Sequence, residues 1–396
     1  MKKSRPAVMK AAAVVGVAAL GLGACGSSKS SNTGSSATTA SGGGGSSTSA
    51  VKIGFFGALS GANAALGINI LNGEKLAISQ YMAGHPKVAV TVDSFDSQGD
   101  PSQANNGAQK LIGDKVVAVV GPAFSGESKA ANPYFAQAGI PHITASATNV
   151  ALAQSGDKFF YRGLADDSAQ GPGDANYLVK TLGAKTIAVI DDKSSYGQGL
   201  ADYVRSQIKT DGATDVVDDH VDPNGQDYSS TVNKIVAAKP AAVFYGGYYD
   251  AAGRLIKQLK DKGYTGAFMS GDGSEDPHFI TDAGATAAEG AYLSCACEDT
   301  SAAPSAATFN TAYQAAYGTP PAIYSGEGYD VTNFLLAAIK AGNTTPSAIN
   351  NYLKTNSWTG ITKTLKFQSD GDLVGGTVYV YQVKNGKITQ IGTTPS

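Results

Sequence analysis

The chain has 396 residues, of which 42% are hydrophobic and 16% charged, and its formal net charge is −2 at pH 7. This length is enough for two ordinary domains with separate cores. A nearly neutral chain with mixed charges lacks the basic surface that binds nucleic acid, so we expect no nucleic-acid partner.

Residues 1–24 have the pattern of a signal peptide. Basic residues precede an apolar run from Ala11 to Leu22, which is shorter than the ~20 residues that span a bilayer. The run ends in Leu22-Gly23-Ala24-Cys25, which resembles the lipobox of bacterial lipoproteins, in which the cysteine is diacylated. A plain signal peptide that happens to hold a cysteine is the alternative. We predict lipidation at Cys25 and a protein held by its lipid on the extracytoplasmic side of the cell membrane.

Residues 25–50 are predicted to be the lipidated cysteine followed by a flexible linker. The segment after Cys25 consists almost entirely of Ser, Gly, Thr and Ala, which cannot form a core. Its typical end-to-end distance is roughly 28 Å, from ~5.5 Å times the square root of its length. The folded part is therefore expected to begin at Val51.

Strands and helices are predicted to alternate from Val51 to Ser146, which favours a doubly wound parallel sheet. Apolar and alternating runs predict strands at 51–56, 87–93, 116–120 and 140–146. Helical spacing predicts helices at 64–82 and from 101 to about 113, the second with Asp100 as N-cap, and a third helix after Ser125.

A second α/β domain of similar design is predicted after Phe159. Strands are expected at 159–162, 186–191, 216–221, 241–245 and 266–270. Helices are expected at 168–181, 228–238 and 251–262, and one more helix follows the segment 191–199 and ends at 209. Three more helices are expected at 306–317, 325–340 and 347–355. The end of the chain is predicted to be a hairpin of 377–383 and 387–391 around Asn385-Gly386.

The stretch from Val116 to Ser128, V-V-A-V-V-G-P-A-F-S-G-E-S, indicates a ligand-binding corner. A buried strand that turns sharply into a helix points free backbone N–H groups, and the positive end of the helix dipole, above the end of the strand. Ser125 adds a hydroxyl donor at that turn. We expect this corner to bind a carboxylate.

Other polar residues follow predicted strands at the edge where open α/β sheets bind ligands. In the first domain these are Ser146 and Thr148, beside Phe124-Ser125; ordinary turn chemistry is the alternative. In the second domain, Asp272 lies between two glycines and is the acid expected to hold a cationic ammonium group. An Asp-Gly turn is the alternative there. Tyr196 and Tyr248 supply apolar walls with a polar tip.

Catalytic patterns are weak, and we expect no enzyme and no cofactor. Ala123 to Glu127 only approaches the G-x-S-x-G pattern, since Ala123 and Glu127 replace its glycines. None of the four histidines has an obvious orienting acid in sequence. Neither a phosphate loop nor a dinucleotide fingerprint is present.

Cys295 and Cys297 leave two structures open, a disulfide or a pair of buried thiols. A C-x-C bridge has unfavourable geometry on a straight strand. A metal site is disfavoured because the other ligands are missing at the usual spacing.

The folded chain, from Val51 to about Thr393, resembles the branched-chain amino acid binding proteins of bacterial ABC importers, the leucine/isoleucine/valine type of periplasmic binding protein. Six short motifs carry the resemblance, each in the expected place: G-A-L-S-G at 57–61, V-G-P-A-F-S-G at 120–126, S-A-T at 146–148, D-K-S-S-Y-G-Q-G-L from 192, F-Y-G-G-Y at 244–248 and F-M-S-G-D-G at 268–273.

The resemblance implies roles for individual residues. Ser125 and Thr148 match hydroxyls that bind the ligand carboxylate, and the Ser146 backbone helps to hold both α-groups. Asp272 matches the acid that binds the α-ammonium. Tyr196 and Tyr248 match side chains of the second lobe that close over the ligand. Tyr324 and Leu66 match apolar wall positions. Leu66 is often aromatic in the family, and Phe124 and Gly99 replace a disulfide of some relatives.

The resemblance also implies two lobes joined by a three-stranded hinge. The lobes are 51–166 plus 295–375, and 167–294 plus 376–396, so that Cys295 and Cys297 lie at the hinge. We expect a monomer that binds an amino acid and docks on an ABC permease in the membrane. A ligand-sensing receptor module for amino acids, amides or related solutes, and a hydrolase that uses Ser125, are the alternatives.

Overall fold

The computed structural model describes residues 49–301 and 303–395, which belong to one compact unit, Thr48–Ser396. The predicted signal peptide, the lipidation site at Cys25 and all but the last two residues of the predicted linker lie outside the described residues. The first strand begins at Ser49, two residues earlier than predicted. Within the described ranges no helix is both long and apolar enough to cross a membrane.

The first sheet has five strands, and all of its neighbouring pairs are parallel. Its strand order is β2-β1-β3-β4-β5. The residues of β3, β4 and β5 are all buried, as expected for a parallel sheet covered on both faces. The strands are β1 (Ser49–Gly57), β2 (Val88–Asp96), β3 (Ala118–Val120), β4 (His142–Thr144) and β5 (Phe160–Arg162).

The second sheet has seven strands in the order β14-β13-β10-β9-β8-β6-β7. It is mixed rather than wholly parallel, because β13 runs antiparallel to β10 and β14 antiparallel to β13. A small antiparallel pair, β11 with β12, was not predicted. The strands are β6 (Thr186–Asp191), β7 (Thr214–His220), β8 (Ala242–Gly246), β9 (Ala267–Ser270), β10 (Tyr292–Cys295), β11 (Trp358–Thr359), β12 (Thr364–Leu365), β13 (Tyr379–Lys384) and β14 (Lys387–Thr393).

Twelve α-helices lie in the described ranges. Two short ones, α8 and α9, were not predicted, because seven and four residues carry too little periodicity. The helices are α1 (Ala64–Ala83), α2 (Ala104–Gly113), α3 (Ser125–Gln137), α4 (Asp167–Asn176), α5 (Ser195–Thr210), α6 (Ser229–Ala238), α7 (Tyr249–Asp261), α8 (Pro277–Ala283), α9 (Ala285–Ala288), α10 (Ala307–Tyr317), α11 (Ser325–Lys340) and α12 (Pro346–Thr355).

The parallel strands of both sheets have the same order. In the first sheet β1 lies between β2 and β3, and in the second sheet β6 lies between β7 and β8. The strand order reverses at β1/β3 and at β6/β8, and such switch points leave a crevice at the carboxyl ends of the strands. The loops that follow β1, β3, β6 and β8 are therefore placed to form a binding site.

The chain passes between the two sheets three times. It leaves the first sheet after β5, and it leaves the second sheet after β10. Helix α11 then packs along α1 of the first sheet, where a Cβ at Gly73 would lie 2.2 Å from the Ser325 carbonyl oxygen. The helices approach so closely because a glycine stands there. The chain finally returns to the second sheet as β13 and β14, which are joined by Asn385-Gly386 with positive φ at both residues, as the hairpin prediction requires.

Candidate functional site

Loops from both sheets meet around one small closed cavity. Its volume is about 10 Å³, which is room for at most a single water molecule. An amino-acid-sized solute therefore enters only when the two sides of the cavity separate. Eight of the nine predicted ligand-binding residues line it: Leu66, Phe124, Ser125, Ser146, Tyr196, Tyr248, Asp272 and Tyr324.

The first-sheet side of the cavity is the predicted strand-to-helix corner. Ser125 is the first residue of α3, and its hydroxyl oxygen accepts a hydrogen bond from the Asn149 N–H at 3.2 Å. The Ser146 hydroxyl donates to the Ala123 carbonyl oxygen at 2.5 Å. These contacts hold the loops after β3 and β4 together, with the N-terminus of α3 beside the cavity.

Glu127 holds this corner from inside the protein. Its carboxylate accepts the Phe124 N–H at 3.3 Å and a hydrogen bond from the Ser97 hydroxyl. Burial raises the pKa of Glu127 to about 7, although both hydrogen bonds act in the opposite direction. The corner therefore contains a carboxyl group that titrates near neutral pH.

Thr148 is the predicted site residue that does not line the cavity. Its carbonyl oxygen accepts the Asp167 N–H at 3.0 Å, which joins the loop after β4 to the start of α4. Its hydroxyl is buried and makes no regular hydrogen bond within the described part of the chain. The predicted contact of Thr148 with a ligand stays a prediction.

The second-sheet side of the cavity is centred on Asp272, which lies two residues after the end of β9 and is fully buried. Its carboxylate accepts hydrogen bonds from the hydroxyls of Tyr196, at 2.6 Å, and of Tyr324. Burial raises the pKa of Asp272, and the two hydroxyls oppose that rise. Burial also raises the pKa of both phenols well above the usual value, so each phenol stays a neutral donor.

Two features of the backbone allow the chain to pack closely around Asp272. A Cβ at Gly273 would lie 2.6 Å from the Tyr196 ring, so only glycine fits beside that ring. Tyr324, just before α11, has φ of +65°, which few residues other than glycine adopt. Such strain is concentrated at functional sites.

Aromatic rings form the wall of the cavity and connect its two sides. The Tyr248 ring lies edge-on to Phe124, with centroids 5.0 Å apart, and 5.1 Å from the Tyr196 centroid. Phe124 belongs to the first-sheet side and the two tyrosines to the second. The Phe124 ring also covers Gly99, 3.6 Å from where its Cβ would be, at the pair of positions implied to replace a disulfide.

Two residues that the sequence analysis missed hold the loop after β4. Arg162 is fully buried and donates to the carbonyl oxygens of Ala147, at 3.2 Å, and Asn149, at 2.8 Å. It also binds the Asp372 carboxylate through Nε at 2.8 Å. A lone arginine at the end of a short strand gives no sequence signal of such a role. For Asn149, the sequence signal that could have indicated its role is its position directly after the S-A-T motif at 146–148.

The described residues offer little for a metal ion or for nucleophilic catalysis. Glu275, Cys295 and Cys297 place their potential ligand atoms within 4.8 Å of one another. Cys295 and Cys297, however, form a disulfide, which leaves no thiolate to bind a metal. His142 pairs with Asp157 at 3.1 Å, an acid distant in sequence, and no described histidine hydrogen-bonds Ser125.

Two α/β sheets that share one cavity at their carboxyl edges define a solute-binding protein. The family model described as "Periplasmic binding protein" matches residues 50–387, and the chain belongs to this family. It is 30% identical to the Leu/Ile/Val-binding protein BraC3 of Rhizobium johnstonii, over 85% of this chain and 93% of that protein. It is also 30% identical to the leucine-specific-binding protein of Salmonella typhimurium, over 84% and 90% of the two chains.

Solved structures agree with this assignment. The substrate-binding protein LivJ of Streptococcus pneumoniae, in complex with isoleucine, superposes with a TM-score of 0.81 at 29% identity, over 87% of this chain and all of that one. The leucine-binding protein LivK of Thermotoga maritima gives a TM-score of 0.80 at 28% identity, over 87% and 98% of the two chains.

These findings confirm the predicted α/β fold class and the predicted family. The family consists of solute-binding proteins rather than enzymes, so the prediction of a binding protein is confirmed. Membership also assigns the protein to the extracytoplasmic side of the membrane.

Proposed function

We propose that this protein captures a free amino acid, with leucine, isoleucine and valine as the first candidates, and delivers it to an ABC importer. The relatives named above are described as binding these amino acids. The single observation that carries the proposal is that groups suited to the two oppositely charged ends of an amino acid lie on opposite sides of one cavity. Asp272 lies on one side, and Ser125 with the N-terminus of α3 lies on the other.

The two sides suit the two charged groups of an α-amino acid. Because Tyr196 and Tyr324 remain neutral, the Asp272 carboxylate is the charged group that an α-ammonium meets. A carboxylate at Ser125 meets the positive end of the α3 dipole and hydroxyl donors, among them the buried hydroxyl of Thr148. Leu66, Phe124 and Tyr248 would face the ligand side chain.

The lobes would move as units when the solute enters. We take them as 51–166 plus 295–375 and 167–294 plus 376–396, joined at three crossings, with the Cys295–Cys297 disulfide at one of them. A solute that contacts both lobes favours the closed form, because only that form makes both sets of contacts. A lipid on Cys25 would hold the monomer near a membrane permease.

A thermal-shift screen of the protein against amino acids and small amides tests this function. A ligand at about a thousand times its Kd adds about 4 kcal/mol to the free energy of unfolding. We expect stabilisation by at least one branched-chain amino acid and none by the matching amine, which lacks the carboxylate. Absence of stabilisation by every amino acid would refute the proposal.

A further inference from the structure

Outside the cavity, one side chain of the first-sheet side reaches across to the second-sheet side. Asn149 Nδ2 donates a hydrogen bond of 2.6 Å to the carbonyl oxygen of Ser195, the first residue of α5. Hydrogen bonds also cross between the sides from Tyr324 to Asp272, inside the cavity, and from Asn69 to Asp276, at 3.4 Å. Of the two bonds outside the cavity, Asn149–Ser195 is the shorter.

The rest of Asn149 is fixed on the first-sheet side. Its N–H donates to the Ser125 hydroxyl at 3.2 Å, and its Oδ1 accepts the Ala151 N–H at 3.0 Å. Its carbonyl oxygen accepts from buried Arg162 at 2.8 Å. Only the Nδ2 group is directed to the other side, so the residue is held in place before it bonds to Ser195.

The opposite surface leaves room for this contact. A Cβ at Gly199 would lie 2.5 Å from Asn149 Nδ2, closer than real Cβ atoms approach. Gly199 is inside α5, where glycine is a poor helix former compared with alanine. The glycine therefore costs helix stability and allows α5 to approach Asn149.

We propose that Asn149 is a positioning residue that fastens the closed form, and that it links the ligand corner at Ser125 to the opposite lobe. The inference rests on the proposed function, because it assigns to Asn149 control over how long the cleft stays closed on its solute. A bond made only in the closed form lowers the rate at which that form opens. It does not change the first encounter between solute and open cleft.

The test uses Asn149→Asp in the full-length protein. Aspartate keeps the acceptor for the Ala151 N–H but loses the donor, and it places a negative oxygen against the Ser195 carbonyl. We expect the dissociation rate of L-leucine, measured by stopped-flow tyrosine fluorescence, to rise at least tenfold while the association rate changes less than twofold. Asn105→Asp, at an exposed position of α2, is the matched charge control and should behave as the unmodified protein.

Gly199→Ala is the second variant, and it leaves Asn149 itself intact. It should raise the dissociation rate of L-leucine about fivefold, the size of one hydrogen bond, while alanine maintains the helix. A purely structural defect would instead lower the association rate or the fraction of active protein. Unchanged dissociation rates in both variants would overturn the inference while leaving the proposed function intact.

A measurement without ligand separates the two proposals. If the unmodified protein binds no amino acid, the proposed function fails. The fastening role of Asn149 is then tested by small-angle X-ray scattering of the ligand-free proteins. In that case the closed form is the form without ligand, and we expect a larger radius of gyration for Asn149→Asp than for Asn105→Asp; equal radii would contradict the role of Asn149.

Discussion

We propose that recognition of the ligand ammonium depends on Asp272. It is fully buried at the carboxyl end of β9, and its hydrogen-bond donors, Tyr196 and Tyr324, are neutral. A buried carboxylate without a cation is unfavourable, which is why its pKa is raised. In the proposed function, a ligand ammonium would supply the missing positive charge.

We predict that Asp272→Asn weakens binding of L-leucine by two to three orders of magnitude. Removal of one partner of a buried charge pair costs about 3–5 kcal/mol, while asparagine retains the shape of the side chain. Asp272→Ala should abolish measurable binding. Isothermal titration calorimetry measures the effect, with Asp261→Asn as a control at an exposed acid of α7. Retention of the unmodified affinity in Asp272→Asn would reject the assignment of this residue.

Most residues of the site could be predicted from sequence, because they follow strands at the edge where ligands bind. Ser125, Ser146 and Asp272 all lie in the segments that follow apolar strands, within five residues of the strand end, and the structure brings them to one cavity. Arg162 and Asn149 could not be predicted. Their roles depend on which loops lie side by side, and no spacing in the sequence records that.

Helix α3 forms the corner that we propose binds the ligand carboxylate, and Glu127, buried in its first turn, makes the stability of the protein depend on pH. The pKa of Glu127 in the folded protein is about 7, above its ordinary value of 4.5. The folded state therefore holds the proton more tightly than the unfolded chain. This contribution to stability is complete below pH 4.5 and is lost as the pH rises through 7.

We predict that Glu127→Gln, which cannot ionise, removes this pH dependence. The rise of the Glu127 pKa from 4.5 to about 7 corresponds to about 3 kcal/mol of free energy of unfolding. The unmodified protein should therefore lose about 3 kcal/mol relative to Glu127→Gln between pH 4.5 and pH 8, as measured by urea unfolding at both values. A difference between the two proteins that stays constant with pH would contradict the prediction.

The loop after β4 depends on Arg162, which binds it to the Asp372 carboxylate. We predict that Arg162→Met lowers the free energy of unfolding by about 3 kcal/mol, because it leaves the Asp372 carboxylate and the Ala147 carbonyl oxygen without a donor. The double variant with Asp372→Leu should recover about half of that loss. Urea unfolding of the three proteins measures both effects, and a loss below 1 kcal/mol in Arg162→Met would contradict the prediction.

The elements themselves were predicted where their periodicity was long. Helices α1 and α11 and the buried strand β6 follow their predicted positions closely, and α5 ends within one residue of its predicted end. The antiparallel pairing of β13 with β10 was not predicted, because a strand pattern specifies which face is apolar but not which neighbour it joins. The two-residue strands β11 and β12 are too short to give a pattern.

At the scale of the whole molecule, function depends on two α/β sheets with the same strand order that meet at one cavity. In the closed form this cavity has a volume of only about 10 Å³. The cycle of solute entry and release therefore requires the sheets to separate and return. Ring contacts such as that of Phe124 with Tyr248, and the bond of Asn149 to Ser195, form only when the sides meet.

The most direct test of the account is small-angle X-ray scattering of the protein during titration with the amino acid that stabilises it best in the thermal screen. If one solute is shared by the two sides, the radius of gyration falls as ligand is added. The fall saturates at one ligand per protein, and its midpoint agrees with the calorimetric Kd. A ligand that binds at this stoichiometry while the radius of gyration stays constant would show that the two sides do not close on one shared solute.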